Sequence, residues 1–319
     1  MARPGGHDYM VVGAGALGLS LAARLWRAGA ATVVVTRTGW QADLLRAAGI
    51  TVEGDAGRWR AWPEVVADAA VAAGAPWVLV TVKSGATETV LERLDRLRAA
   101  PARLGLVQNG LDGFKTAADR WPGPVLAVVA GWGARRRNPV TVQEGGQAET
   151  TVGPLARADR ALAETLACQL GRAGIVARAV ADPWPAIWRK LCVNAAINPL
   201  GALLGRTNGE LLADRVRPLL RRLAAEAAAV AGAAGYGPGG DIEAYVESVA
   251  AATSRNRCSM LQDLEAGRPT ELEAILGAVL RAARERGVAT PTMARAYALL
   301  RRRVDRGRKG KQRGRSGRT

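Results

Sequence analysis

Lysine, asparagine and cysteine are scarce in this 319-residue chain, and each scarcity carries information. Lys and Arg together number 45, yet only five are lysine: Lys83, Lys115, Lys190, Lys309 and Lys311. Asparagine occurs six times, at Asn109, Asn138, Asn194, Asn198, Asn208 and Asn256. A nucleotide-composition bias in the coding sequence accounts for both shortages, and it acts as a filter. The lysines and asparagines that survive it are enriched for positions where a substitute fails. Lysine in particular gives up a proton near neutral pH when buried, whereas arginine effectively does not. The three cysteines, Cys168, Cys192 and Cys258, are scattered, with no CxxC or metal-ligand spacing. This excludes a disulfide framework and a cysteine-held metal, and suits free thiols in a reducing cytoplasm.

Long apolar runs are also missing. Gly, Pro, Arg or Asp interrupts each of the longest stretches before it reaches membrane-spanning length. Met1 to Asp8 shows no basic segment followed by an apolar one, so no secretory signal is expected and a soluble, cytoplasmic protein is. The formal net charge of +17 is concentrated at one end. Residues 301–319 contain ten Lys or Arg and one acid, leaving a body that is an ordinary basic enzyme rather than a nucleic-acid binder.

What is present begins with a βαβ unit. Tyr9-Met10-Val11-Val12 reads as a strand and runs into Gly13-Ala14-Gly15-Ala16-Leu17-Gly18. A helical stretch follows to Ala28, then a β-branched strand at Ala31–Val35. A lone GxGxxG is weak evidence, but one that leaves a strand and opens a helix inside a βαβ unit is a dinucleotide-binding signature. Further apolar strands are expected at Trp77–Val82, Leu104–Val107 and Val125–Val129, with one or two more between Val140 and Val152. After Pro183 and Pro185 the pattern becomes long Ala/Leu/Arg helices. The expected fold class is therefore α/β: an N-terminal Rossmann-type parallel-sheet domain over 1–181 and an all-helical C-terminal domain over 182–303. A basic tail over 304–319 is expected to be disordered.

The end of the second strand bears on the cofactor. Where an NAD-binding unit usually places an acid, this chain has Thr36-Arg37-Thr38, which suits a 2′-phosphate and favours NADP(H). Lys83 and Asn109-Gly110 follow later strands; alone, they read as a surface lysine and a turn. Lys190, Asn194 and Asn198 are spaced four apart in an otherwise apolar segment. On a helix they form one polar stripe, a poor core but a good floor for a small polar substrate. Pro199 is expected to kink or end that helix. Ser259 and Asp263 share a second helix face. Thr270 with Glu273 forms a capping-box pattern, so nearby Glu271 also reads as a first-turn acid facing the helix dipole.

In chain order the motifs are GxGAxG, Lys83, Gln108-Asn109-Gly110 and Ala134-Arg135-Arg136. Trp188-Arg189-Lys190-Leu191 with Asn194 and Asn198 comes next, then Asn208-Gly209-Glu210-Leu211, then Ser259-Met260-Leu261-Gln262-Asp263 with Thr270-Glu271. This series resembles the ketopantoate reductase (2-dehydropantoate 2-reductase) family up to about residue 303. The resemblance implies an active site in the cleft between a Rossmann and a helical domain. It implies hydride transfer from NADPH to the ketone of 2-dehydropantoate, giving (R)-pantoate for pantothenate and coenzyme A synthesis, with Lys190 as proton donor and Glu271 as a second catalytic residue. It places the cofactor against Gly13, Ala14, Gly15, Ala16, Leu17, Gly18, Arg37, Lys83, Asn109, Ala134 and Glu271. It places the substrate against Asn109, Lys190, Asn194, Asn198, Asn208, Asn256 and Ser259. No metal, membrane or specific nucleic acid is implied, and a homodimer is compatible with it. Gly131-Trp132-Gly133 departs from the pattern, being bulky for a cofactor-lining loop. Two alternatives stay open: a paralogue reducing another 2-oxo acid or ketone, and a nucleotide-sensing or nucleic-acid-binding protein acting through the tail.

Overall fold

The computed structural model describes residues 6–55, 57–72, 74–96, 103–237 and 239–316. The chain divides into two compact units. One comprises 1–108 with 113–183, the other 109–112 with 184–319. The short 109–112 segment, which the sequence places in the N-terminal domain, thus groups with the helical unit.

The first unit opens with β1 (Tyr9–Val12), α1 (Ala16–Arg27), β2 (Thr32–Val35) and α2 (Gly39–Ala48). Three short strands follow, β3 (Ile50–Gly54), β4 (Gly57–Ala61) and β5 (Glu64–Val66). Next come β6 (Trp77–Val80), α3 (Thr87–Arg96), β7 (Arg103–Leu106), α4 (Asp112–Arg120) and β8 (Val125–Val129). The unit closes with β9 (Trp132–Asn138), β10 (Thr141–Gln147), β11 (Thr150–Ala156), α5 (Arg160–Arg172) and β12 (Ala177–Ala179).

The main sheet has the order β12-β11-β8-β7-β6-β1-β2-β5, parallel throughout except where β11 runs against β8. Its central strands are buried along their length, as in β1 and β6, which is why they read as unbroken apolar runs. β9 and β10 join β3 and β4 in a second sheet, ordered β4-β3-β10-β9. The 140–152 region therefore supplies two strands to different sheets, and β4 and β9 carry too many charges and glycines to be recognised from pattern, while the β-branched run of β3 is only three residues long. Arg24 of α1 ties that helix to β10 by a bidentate pair with Glu144, with Nε–Oε1 and Nη2–Oε2 both at 2.7 Å, and Ser20 shares the same carboxylate. Trp132 is a core side chain at the start of β9, only 4% exposed, so its bulk fills the interior rather than a cofactor loop.

The second unit is helical: α6 (Trp184–Leu204), α7 (Arg217–Ala233), α8 (Ile242–Ala252), α9 (Ser259–Glu265), α10 (Ala278–Arg286) and α11 (Pro291–Ser316). A π-helical stretch, Glu273–Gly277, leads into α10. α6 packs against α7, α8, α9 and α11 and is the spine of the unit. Pro199 lies inside α6, and the helix continues to Leu204, so of the two expected outcomes, a kink or an end, the helix does not end there. Proline removes one bond to the Ala195 carbonyl, and the complete burial of Ala195 through Ala202 holds the helix across that gap. α11 is likewise helical to Ser316, through most of the stretch whose composition suggests disorder. Its packed first turns, anchored by Met293, Ala296 and Leu300, nucleate a helix that Arg, Lys and Gln can propagate. Among the described residues no helix is long and apolar enough to cross a membrane.

Candidate active site

In the first unit, the chain leaves β1 through a turn at Gly13, whose φ of 115° is a left-handed conformation suited to glycine. A Cβ on Gly18 would fall 1.9 Å from the Gly13 carbonyl oxygen and 2.4 Å from Thr81 Oγ1, so this position in α1 must be bare. Gly15, at the N-cap of α1, is different: a Cβ there would meet nothing within 4 Å. No side chain caps α1 and no acid occupies its first turn, which leaves its first N–H groups and positive dipole end for an anion. This bare cradle over a helix N-terminus fits the diphosphate of a dinucleotide.

The Thr36-Arg37-Thr38 reading needs a correction. Thr36 is buried and its hydroxyl donates to the backbone carbonyls of Thr38 and Val66, while Thr38 accepts from Gln41 N and caps α2. Both hydroxyls are consumed locally because each can satisfy a nearby main-chain group. Arg37 and Thr38 are both exposed, and of the trio only Arg37 has a side chain with no hydrogen bond among the described residues. Lys83 is exposed just beyond the C-terminal end of β6, and Ala134 is half-buried in β9. Two further contacts to the loop are not legible from sequence spacing, although Arg136 stands in the Ala134-Arg135-Arg136 motif: Gln41 Nε2 and Arg136 Nη1 each donate to the Ala14 carbonyl at 3.2 Å.

In the second unit, four of the expected residues converge. Asn109 Nδ2 donates to Glu271 Oε2 at 3.0 Å, and Asn194 Nδ2 lies 3.5 Å from Asn109 Oδ1, a long contact. Lys190, one turn before Asn194 on α6, interacts with Glu271. Burial pulls its ammonium down to about 8, and the Glu271 carboxylate opposes that shift. The turn that presents Asn109 passes through Gly110 at φ 86°, where a Cβ would lie 2.3 Å from the Ala274 carbonyl oxygen. This close approach seats the turn on the π-helical stretch that follows Glu271. Glu273 does not complete a capping box; its carboxylate accepts from Tyr297 and faces Arg281.

Two more amides are buried with polar atoms to spare. Among the described residues, Asn198 is 4% exposed with no partner for its Nδ2, and Asn208 is 7% exposed, its Nδ2 donating to Thr253 Oγ1 while its Oδ1 has no partner. A buried amide atom left unpaired is costly. Both adjoin the 256–259 segment. Cys258 donates its thiol to the Asn198 carbonyl at 3.5 Å, and the Asn208 N–H donates to the Asn256 carbonyl. Burial pushes the Cys258 thiol up to about 11, so it stays a neutral donor. Asn256 itself is exposed and contributes its backbone, whereas Ser259 presents a free hydroxyl at the start of α9. Asp263 is buried in an ion pair with Arg268 at 2.9 Å. Among the described residues no group of His, Cys, Asp and Glu could hold a metal.

Residues 9–157 match the family described as ketopantoate reductase PanE/ApbA, and residues 182–304 match its C-terminal counterpart. The chain belongs to the ketopantoate reductase family. A 2-dehydropantoate 2-reductase from Archaeoglobus fulgidus is 34% identical over 279 residues, spanning 87% of this chain and 91% of that one. The crystal structure of 2-dehydropantoate 2-reductase from Methylococcus capsulatus superposes with a TM-score of 0.79 at 31% identity, covering 94% of this chain and 97% of that one. The ternary structure of D-mandelate dehydrogenase with NADH and anilino(oxo)acetate has a TM-score of 0.86 at 22% identity, covering 94% and 99%, and shares the fold. This family member is accordingly an oxidoreductase that uses a nicotinamide cofactor.

Proposed function

We propose that the chain reduces 2-dehydropantoate to (R)-pantoate with NADPH, a reaction that serves pantothenate and coenzyme A synthesis in the cytoplasm. The observation that carries this reading is the Lys190 environment: a lysine lowered to about 8 beside Glu271, on one helix with Asn194 and the unpaired Asn198. NADPH, when bound, supplies the hydride to the ketone carbon. The oxygen then takes a proton from the Lys190 ammonium, leaving a neutral amine that solvent reprotonates. A lysine near 8 suits this role, because a general acid works best when its pKa lies close to the working pH. Glu271 keeps the ammonium from losing its proton too early, and Asn109 orients Glu271. Asn194 and Asn198 are the amides for the substrate's oxygens, Asn208 offers a buried acceptor for a hydroxyl, and Ser259 offers a donor for the carboxylate. In the first unit, Gly13 through Gly18 hold the diphosphate, Arg37 takes the 2′-phosphate, and Lys83 and Ala134 line the remainder.

The relatives named 2-dehydropantoate 2-reductase favour this substrate over others. The D-mandelate dehydrogenase fold relative makes an aryl 2-oxo acid the natural competitor to test. NADPH oxidation measured across 2-dehydropantoate, other branched 2-oxo acids and an aryl 2-oxo acid decides the matter. The proposal expects the highest kcat/KM with 2-dehydropantoate, and a tenfold preference for another acid would overturn it.

A further inference from the structure

The carbonyl of Ala14 receives two side-chain donors that come from different elements. Gln41 reaches it from the first turn of α2 and Arg136 from β9, each at 3.2 Å. A carbonyl oxygen has two lone pairs, so this one is fully occupied. Ala14 lies in the middle of the glycine loop, between Gly13, whose N–H and carbonyl are held by the Val35 carbonyl and the Thr81 hydroxyl, and Gly15, whose carbonyl accepts from Leu19 N. Its carbonyl and the Gly15 N–H belong to one planar trans peptide, in which they point in opposite directions. Fixing the oxygen towards Gln41 and Arg136 therefore fixes the Gly15 N–H away from them. That N–H donates to no described residue, and a Cβ at Gly15 would meet nothing within 4 Å.

We propose that Gln41 and Arg136 are positioning residues that clamp the Ala14 carbonyl and so aim the Gly15 N–H at the cofactor's diphosphate. The proposal rests on the dinucleotide reading of the first unit. It makes Arg136 part of the loop's scaffold rather than a selector of the 2′-phosphate. An amide oriented before the ligand arrives loses little freedom on binding, which is the general source of tight binding by a preorganised site. The clamp is released by removing either donor, and because the diphosphate is common to both nicotinamide cofactors, NADPH and NADH must respond alike.

The test uses the full chain with Gln41→Met, Arg136→Met, the double variant and Arg136→Lys. Binding of NADPH and of NADH is followed by cofactor fluorescence, kcat is taken at saturating cofactor, and the thermal midpoint is recorded. The expected result is a loss of roughly tenfold in affinity for each single Met variant, equal for the two cofactors. Saturating kcat should stay within about twofold of the parent and the double variant should be non-additive, since both donors serve one oxygen. Arg136→Lys should recover part of the loss. If Arg136→Met misfolds, Gln41→Met carries the test alone. A parent chain that binds NADPH, together with a Gln41→Met variant that binds it unchanged, would overturn the clamp. A loss confined to NADPH would also overturn it, by assigning Arg136 to the 2′-phosphate. A parent chain that binds neither cofactor would bring down the dinucleotide reading itself, and the clamp with it.

Discussion

Replacing Lys190 by arginine keeps a positive charge beside Glu271 and removes the ability to release a proton. Burial lowers the lysine from 10.5 to about 8, so the structure sets both the size and the pH range of the effect. At pH 7 about nine-tenths of the side chain is protonated and fit to donate, at pH 8 about half, and at pH 9 about a tenth. The reductive kcat/KM should therefore be flat below pH 7 and fall through a basic limb centred near 8. Arginine does not deprotonate in this range, so Lys190→Arg should lose the limb along with the chemistry. General acid catalysis is worth ~10²–10⁴-fold, and kcat should drop by about that factor while NADPH affinity barely changes. Stopped-flow or steady-state oxidation of NADPH between pH 6 and pH 10 reads both quantities. Lys115→Arg is the internal control and should change neither, since Lys115 lies in α4 outside both candidate clusters. If Lys190→Arg kept near-normal turnover and an unchanged profile, Lys190 would not be the donor, and the proton would have to come from elsewhere.

The same lysine links activity to stability. A lysine whose folded value lies below its unfolded one costs stability while it must be charged. The cost is present below pH 8 and disappears as pH rises from about 8 to 10.5, with a ceiling of about 3 kcal/mol. Lys190→Met should therefore be inactive yet at least as stable as the parent at pH 7, with most of any advantage gone by pH 10; equal destabilisation at both pH values in thermal melts would contradict this. Arg37→Ala should weaken NADPH binding with little effect on NADH, narrowing the ratio of their kcat/KM values; an unchanged ratio would remove Arg37 from the 2′-phosphate site. Gly18→Ala forces a Cβ to within 1.9 Å of the Gly13 carbonyl oxygen, so it should lower stability by about 2 kcal/mol or more and abolish NADPH binding. A Gly18→Ala chain that melted normally and bound NADPH would show that the loop can shift at little cost.

Local features were legible in the sequence because their physics is local. The glycine loop announces itself through the strand before it and the helix after it. The Lys190, Asn194 and Asn198 stripe follows from helical spacing, and composition bias drew attention to Asn109. Long-range facts were not legible. Nothing in the spacing pairs Asn109 with Glu271, 162 residues apart, or brings the Asn256 carbonyl to the Asn208 N–H. Of the second sheet only β10 fell in a stretch that read as strand; β4 and β9 stayed hidden because charges and glycines interrupt their apolar pattern. Pro199 does not end its helix, because a helix-breaking propensity of a few kcal/mol is overridden by burial of α6 on several sides. Thr36 misled for a local reason. Its hydroxyl, apparently available to a phosphate, turns inward to the nearest carbonyl. Arg136 stands in a motif, Ala134-Arg135-Arg136, but only the fold shows which oxygen it holds.

Whether this chain turns NADPH and 2-dehydropantoate into (R)-pantoate is decided by the product itself. Purified enzyme with limiting NADPH and excess 2-dehydropantoate should give one equivalent of pantoate per NADPH consumed, all of it the (R) enantiomer by chiral chromatography. Consumption of NADPH without pantoate, formation of the (S) enantiomer, or no consumption at all would contradict the proposed reaction.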